Sequence, residues 1–162
     1  MSYIFTPTQN LLLAALSQKD LERLQYSLEL VSLSQEWPVY ERGCELGLVY
    51  FPVTSVISLL TMSDDGDSVK IATIGNEGVF GISMLMGQKI SLTRAVVHIS
   101  GHSYRLRAED LRREFELGGR LRYLLQRYNC TLAAKIAQAV NRNLNPTPRP
   151  CISMADSSVA SV

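Results

Sequence analysis

Val56-Ile57-Ser58-Leu59-Leu60-Thr61-Met62, then Ser63-Asp64-Asp65-Gly66-Asp67, then Val69-Lys70-Ile71-Ala72-Thr73-Ile74: this stretch decides the fold class. Two runs of apolar and β-branched residues flank an acidic segment closed by Asp65-Gly66. An Asp-Gly pair between such runs is a strong hairpin signal, because the turn needs a backbone conformation that glycine adopts freely. Working outward, Leu48-Val49-Tyr50-Phe51 is a short apolar run closed by Pro52. Val31-Ser32-Leu33-Ser34 alternates with the period of a half-buried strand, and Trp37, Val39 and Tyr40 lead to a turn at Arg42-Gly43. Downstream, Ala95-Val96-Val97-His98-Ile99 and Ser103-Tyr104-Arg105-Leu106 are split by Gly101. Short strands at regular spacing, with Gly and Asp turns, predict a sandwich or jelly-roll barrel. Such a fold must close or cover its edges.

Helical patterns frame the β region. Residues 8–30 read as helical: Asn10 precedes the apolar group 11–16, and Ser17 is placed to cap a second start. Leu21, Leu24 and Leu28 then form one apolar face. After Leu106, Ala108-Glu109-Asp110-Leu111 opens a helix broken near Gly118-Gly119, and a longer one runs from Arg120 to Leu144. Leu121, Leu125, Tyr128, Leu132, Ile136 and Ala139 follow at spacings of four, three, four, four and three, close to a heptad seam. The spacing by itself serves equally well for packing on the chain's own barrel and for pairing with a second copy. Asn145-Pro146-Thr147-Pro148-Arg149-Pro150 stops the helix. The expected fold class is α+β, mainly β: a double-stranded β-helix or jelly-roll barrel flanked by N-terminal helices and a long C-terminal helix. Residues 1–108 would hold the leading helices and barrel, 109–144 the helical region, and 145–162 a Ser-rich disordered tail.

Composition bounds the function. With 162 residues, 46% hydrophobic and 19% charged, the chain suits one globular domain with an appendage. A net charge of +1 advertises no nucleic-acid surface; arginines do concentrate between Arg105 and Arg127, as on a solvated helical face. Cys44, Cys130 and Cys151 form no CxxC pair or zinc pattern and are too few for an iron–sulfur cluster, so reduced thiols and a cytoplasmic location are expected. The start lacks a signal-peptide pattern, and the apolar runs 11–16 and 53–60 are too short to span a bilayer.

Glu41-Arg42-Gly43, Val49-Tyr50-Phe51-Pro52, Val56-Ile57-Ser58-Leu59-Leu60 and Asp65-Gly66-Asp67-Ser68-Val69 come in an order that resembles the Crp/Fnr family of transcription regulators. Ile74-Gly75-Asn76-Glu77-Gly78-Val79-Phe80-Gly81 and Arg94-Ala95-Val96-Val97 add to it, so the resemblance covers residues 10–143. It implies a cyclic-nucleotide-binding-like barrel, a long helix that dimerises, and an effector inside the barrel beside that helix. It also implies a helix-turn-helix domain beyond that helix. No recognition helix is legible after Leu144, so a truncated or frame-shifted regulator is expected, with DNA binding only in relatives carrying that domain.

In cyclic-nucleotide-binding members, a Gly-Glu-Leu and Arg-Ser-Ala type cassette holds the phosphate and ribose. Here the corresponding residues are Gly81-Ile82-Ser83-Met84-Leu85-Met86-Gly87 and Ser91-Leu92-Thr93-Arg94-Ala95. The glutamate is missing and Arg94 is out of register, so tight cyclic AMP binding is not expected, given the cost of burying an unpaired phosphate. A divergent cassette that still binds a cyclic nucleotide is the alternative. The candidate ligand-binding residues are Gly78, Gly81, Ile82, Ser83, Thr93, Arg94 and Asn129; the candidate dimerisation residues are Leu121, Leu125, Tyr128, Leu132, Ile136 and Ala139. No catalytic or metal-ligating set is expected, and no cofactor beyond an unidentified small-molecule effector. His98 and His102 straddle the Gly101 turn and lack the His-x-His start of a cupin-type jelly-roll enzyme, which is the remote alternative.

Overall fold

A computed structural model describes residues 4–144, without the side chains of 142–144. The expected hairpin is its backbone landmark. Val56–Met62 (β4) and Ser68–Ile74 (β5) pair antiparallel, Ile57 opposite Ile74 and Met62 opposite Ser68. Gly66 turns the chain at φ 87°, and Ser63 accepts from the Gly66 N–H at 2.9 Å. Among the described residues, seven strands form two antiparallel sheets. Glu29–Leu33 (β1), Leu48–Pro52 (β3) and Gly101–Arg107 (β7) lie in the order β1-β7-β3. Pro38–Tyr40 (β2), Arg94–Ile99 (β6), β4 and β5 lie in the order β2-β6-β4-β5.

Alternation along the strands divides the apolar residues between two cores. Val49 and Phe51 on β3, with Tyr104 and Leu106 on β7, pack under the helices. Tyr50, between them in sequence, turns into the barrel with Leu33, Ile57, Leu59, Ala95 and Val97. Period-two backbone geometry forces that split.

The N-terminal region is less helical than expected. Leu11–Ala14 (α1) and Gln18–Gln25 (α2) are short, and Glu29 and Leu30, expected in a helix, already pair with β7. Asn10 and Ser17 cap the two helices: the Asn10 carboxamide accepts from Leu12 and Leu13, and the Ser17 hydroxyl from Asp20. Ala108–Glu116 (α3) and Gly119–Leu144 (α4) are separated at Gly118-Gly119, where both glycines have positive φ. No helix among the described residues is long and apolar enough to cross a membrane. The expected tail at 145–162, including Cys151, lies outside the described residues.

Candidate functional site in the barrel

A cavity of about 320 Å³ lies between the barrel and α4. Its floor is the segment 79–86. Tyr50 and Phe80 exchange two backbone hydrogen bonds, 2.9 and 2.8 Å, which anchor the segment to β3. Gly81 then turns at φ 104°, and a Cβ there would sit 2.8 Å from the Leu48 carbonyl oxygen. Only glycine meets both demands. The turn releases a short 3-10 helix, Ile82–Met86, that ends at Gly87. Arg112 of α3 donates to the Met84 carbonyl at 3.2 Å and holds that helix in place. The second wall is the approach to β6, where the Ser91 hydroxyl donates to the Thr93 carbonyl at 2.6 Å. The third is α4, which contributes Asn129, Leu132, Ala133 and Ile136. Helical spacing puts these four on one flank.

The structure brings Gly81, Ile82, Ser83, Thr93 and Asn129 together around this cavity. It does not bring Gly78 or Arg94 there. Gly78 lies beneath Tyr128: a Cβ at Gly78 would meet the phenol oxygen at 2.0 Å. Its role is close approach of loop to helix. Arg94 turns outward and donates to Glu41 at 2.8 Å, both side chains about half exposed. An exposed pair of this kind contributes little to stability, and it holds Arg94 outside the cavity lining. Burial pushes the Tyr128 phenol well above its usual value, with Glu77 adding to the rise against the Val79 backbone.

The six candidate dimerisation residues all face this chain's own domain. Leu121 and Leu125 are buried in the core under the helices, with Tyr128 packed against it. Ala139 is buried with the barrel core, and Leu132 and Ile136 pack on that core. Leu121, Leu125 and Ala139 are spent on these contacts, while Tyr128, Leu132 and Ile136 are covered only in part. The opposite face of α4 carries Tyr123, Arg127, Cys130, Ala134, Ala137 and Asn141, all exposed.

Sequence reasoning missed Leu46, Leu59, Val79, Phe80 and Gln88 as lining residues. Leu59 was legible only as a strand residue, since the alternation does not say what its inward face meets. Asn129 was a candidate only through the resemblance, which implies that side chains of the long helix reach an effector in the barrel. His98 is exposed and His102 stacks on Phe5, ring centroids 4.4 Å apart. Among the described residues no three His, Cys, Asp or Glu side chains gather as metal ligands would.

No protein-family model and no curated protein matches this chain. Solved structures do. The c-di-GMP-responsive global regulator CLP of Xanthomonas campestris superposes with a TM-score of 0.66 at 14% identity, over 78% of this chain and 64% of its own. The sensor domain of the transcriptional regulator DNR from Pseudomonas aeruginosa gives 0.57 at 15% identity, over 87% of this chain and 90% of its own. A cyclic nucleotide-binding-like protein from Brucella abortus gives 0.53 at 26% identity, over 65% of this chain and 90% of its own. The present chain thus spans less than two thirds of the CLP regulator. With two antiparallel sheets closing on a cavity and a long helix laid across it, the chain has the cyclic-nucleotide-binding-like fold that its resemblance to the Crp/Fnr regulators implied.

Proposed function

We propose that this chain is the effector-sensing and dimerisation module of a Crp/Fnr-type transcription regulator, acting by binding and not by catalysis. The observation that carries the reading is the shared wall: residues that line the barrel cavity belong to the long helix. An occupant that prefers one placement of α4 over another shifts the population of that placement, which is all a sensor requires. Among the described residues there is no helix-turn-helix, so contact with DNA is proposed only for regulators that carry one.

The proposed dimer uses the outer face of α4. Tyr123, Arg127, Cys130, Ala134, Ala137 and Asn141 recur at spacings of four, three, four, three and four, the period of a two-stranded seam. Sedimentation of the wild type is expected to show a dimer, and Ala134→Glu with Ala137→Glu is expected to weaken it at least tenfold while the circular dichroism stays native. A wild type that remains a monomer at high micromolar concentration would refute the pairing.

Cyclic AMP is not the proposed effector, because no cationic side chain among the described residues lines the cavity. Saturating cyclic AMP is expected to leave the melting temperature unchanged; a rise of several degrees would establish the divergent-cassette alternative.

A further inference from the structure

We infer that the barrel cavity takes an uncharged, mainly apolar small molecule bearing one or a few hydrogen-bonding groups. The inference rests on the sensor reading above and goes further by naming the chemistry of the occupant. Its first support is the charge of the walls. Among the described residues, no Asp, Glu, Lys, Arg or His lines the cavity. The arginines of the adjoining segments are engaged elsewhere: Arg94 on Glu41 and Arg112 on the Met84 carbonyl. A phosphate or carboxylate placed here would be desolvated with no countercharge, and an ammonium would fare no better.

The second support is the distribution of polar atoms. Leu46, Leu59, Val79, Phe80 and Ile82 offer an apolar bed. Within the lining, the Ser91 hydroxyl and the Gln88 amide already donate to the Thr93 and Ile90 carbonyls. The Ser83 and Thr93 hydroxyls and the Asn129 carboxamide make no side-chain hydrogen bond with the described residues, and all three are neutral. They come from the 3-10 helix, the loop before β6 and α4, so they suit a molecule held at its polar end from several sides.

The third support is size. A space of about 320 Å³ matches about ten water molecules by liquid volume. The space opens to solvent where Met86, Leu92 and Ala133 are exposed, so an occupant can enter without unfolding the barrel. A molecule of two or three fused or linked rings fills it.

The test uses two probes that share a skeleton and differ in charge. N-phenyl-1-naphthylamine is neutral; 8-anilinonaphthalene-1-sulfonate adds a sulfonate. Both brighten on leaving water. We expect saturable binding of the neutral probe, at least tenfold tighter than the anionic one. Ala133→Phe, which fills the cavity from an exposed position on α4, is expected to weaken the neutral probe at least tenfold. Tyr26→Ala, exposed just after α2 and outside the cavity lining, is expected to leave it unchanged. Failure of the neutral probe to saturate, or indifference to Ala133→Phe, would overturn the inference. Equal binding of the sulfonate or of cyclic AMP, lost in Ala133→Phe, would overturn the ligand class yet leave the sensor reading intact. Probe binding as expected, with no change in the sedimentation of the dimer, would retain the ligand class and sink the sensor reading.

Discussion

Asn10 ties more of the chain together than any other single side chain described. It is fully buried, and its carboxamide nitrogen donates to the carbonyls of Pro52 at 2.8 Å and Gly78 at 2.9 Å. Its oxygen meanwhile caps α1. Asn10→Ala removes the cap and leaves two buried carbonyls unpaired, a loss of about 2–4 kcal/mol in urea unfolding. Asn10→Asp keeps the cap but sets an acceptor-only group against two carbonyls, so it should be no better than alanine. An aspartate variant as stable as wild type would show that the carbonyl bonds contribute little. The position was legible in the sequence as a helix start, since capping is local. The Pro52 and Gly78 contacts were not, because partners 42 and 68 residues away leave no trace in spacing. Among the ligand candidates, Gly81 was readable from its motif, whereas the outward turn of Arg94 depended on Glu41, which the sequence leaves 53 residues distant.

At the scale of elements, α4 shows why a periodic pattern leaves its partner undecided. Leu121, Leu125 and Tyr128 repeat as a pairing seam would, yet they meet α3, the barrel and the loop at Gly78. The burial has a measurable consequence. Leu125→Ala should destabilise the chain by about 2–5 kcal/mol, the usual range for emptying a core leucine position. Tyr123→Ala, on the exposed face, should change stability by no more than about 0.5 kcal/mol. Chemical denaturation at low protein concentration checks both; equal losses would mean the two faces had been exchanged. The start of β1 carries a similar lesson. Leu28 fits the α2 stripe, but Glu29 and Leu30 are drawn into pairing with Arg105 and Tyr104. Sheet hydrogen bonds outweigh weak local helix preference there.

The whole molecule is two cores on either side of one sheet, with α4 touching both. Alkaline pH tests how firmly the helix is seated. Burial holds the Tyr128 proton well above the ordinary phenol value, and Tyr40 and Tyr104 are raised for the same first reason. The unfolded chain gives up its phenol protons near about pH 10, while the folded chain keeps them. The unfolded state therefore binds fewer protons there, and stability, intact below that pH, falls as pH rises beyond it. The urea midpoint should drop between about pH 9.5 and pH 11, and the drop should be smaller in Tyr128→Phe. An equal drop in both would remove Tyr128 from the account. What the sequence determined by itself was everything carried by short-range geometry: the hairpin at Asp65-Gly66, the helix break at Gly118-Gly119, the two helix caps, and the order of strands that marks a jelly roll. Only the tertiary structure decided which face of α4 packs inside the chain, that Arg94 stays outside the cavity lining, and that no charged side chain among the described residues lines it. Those outcomes turn on contacts between residues far apart in the chain, and a repeat along one segment records its own periodicity without recording what will pack against it.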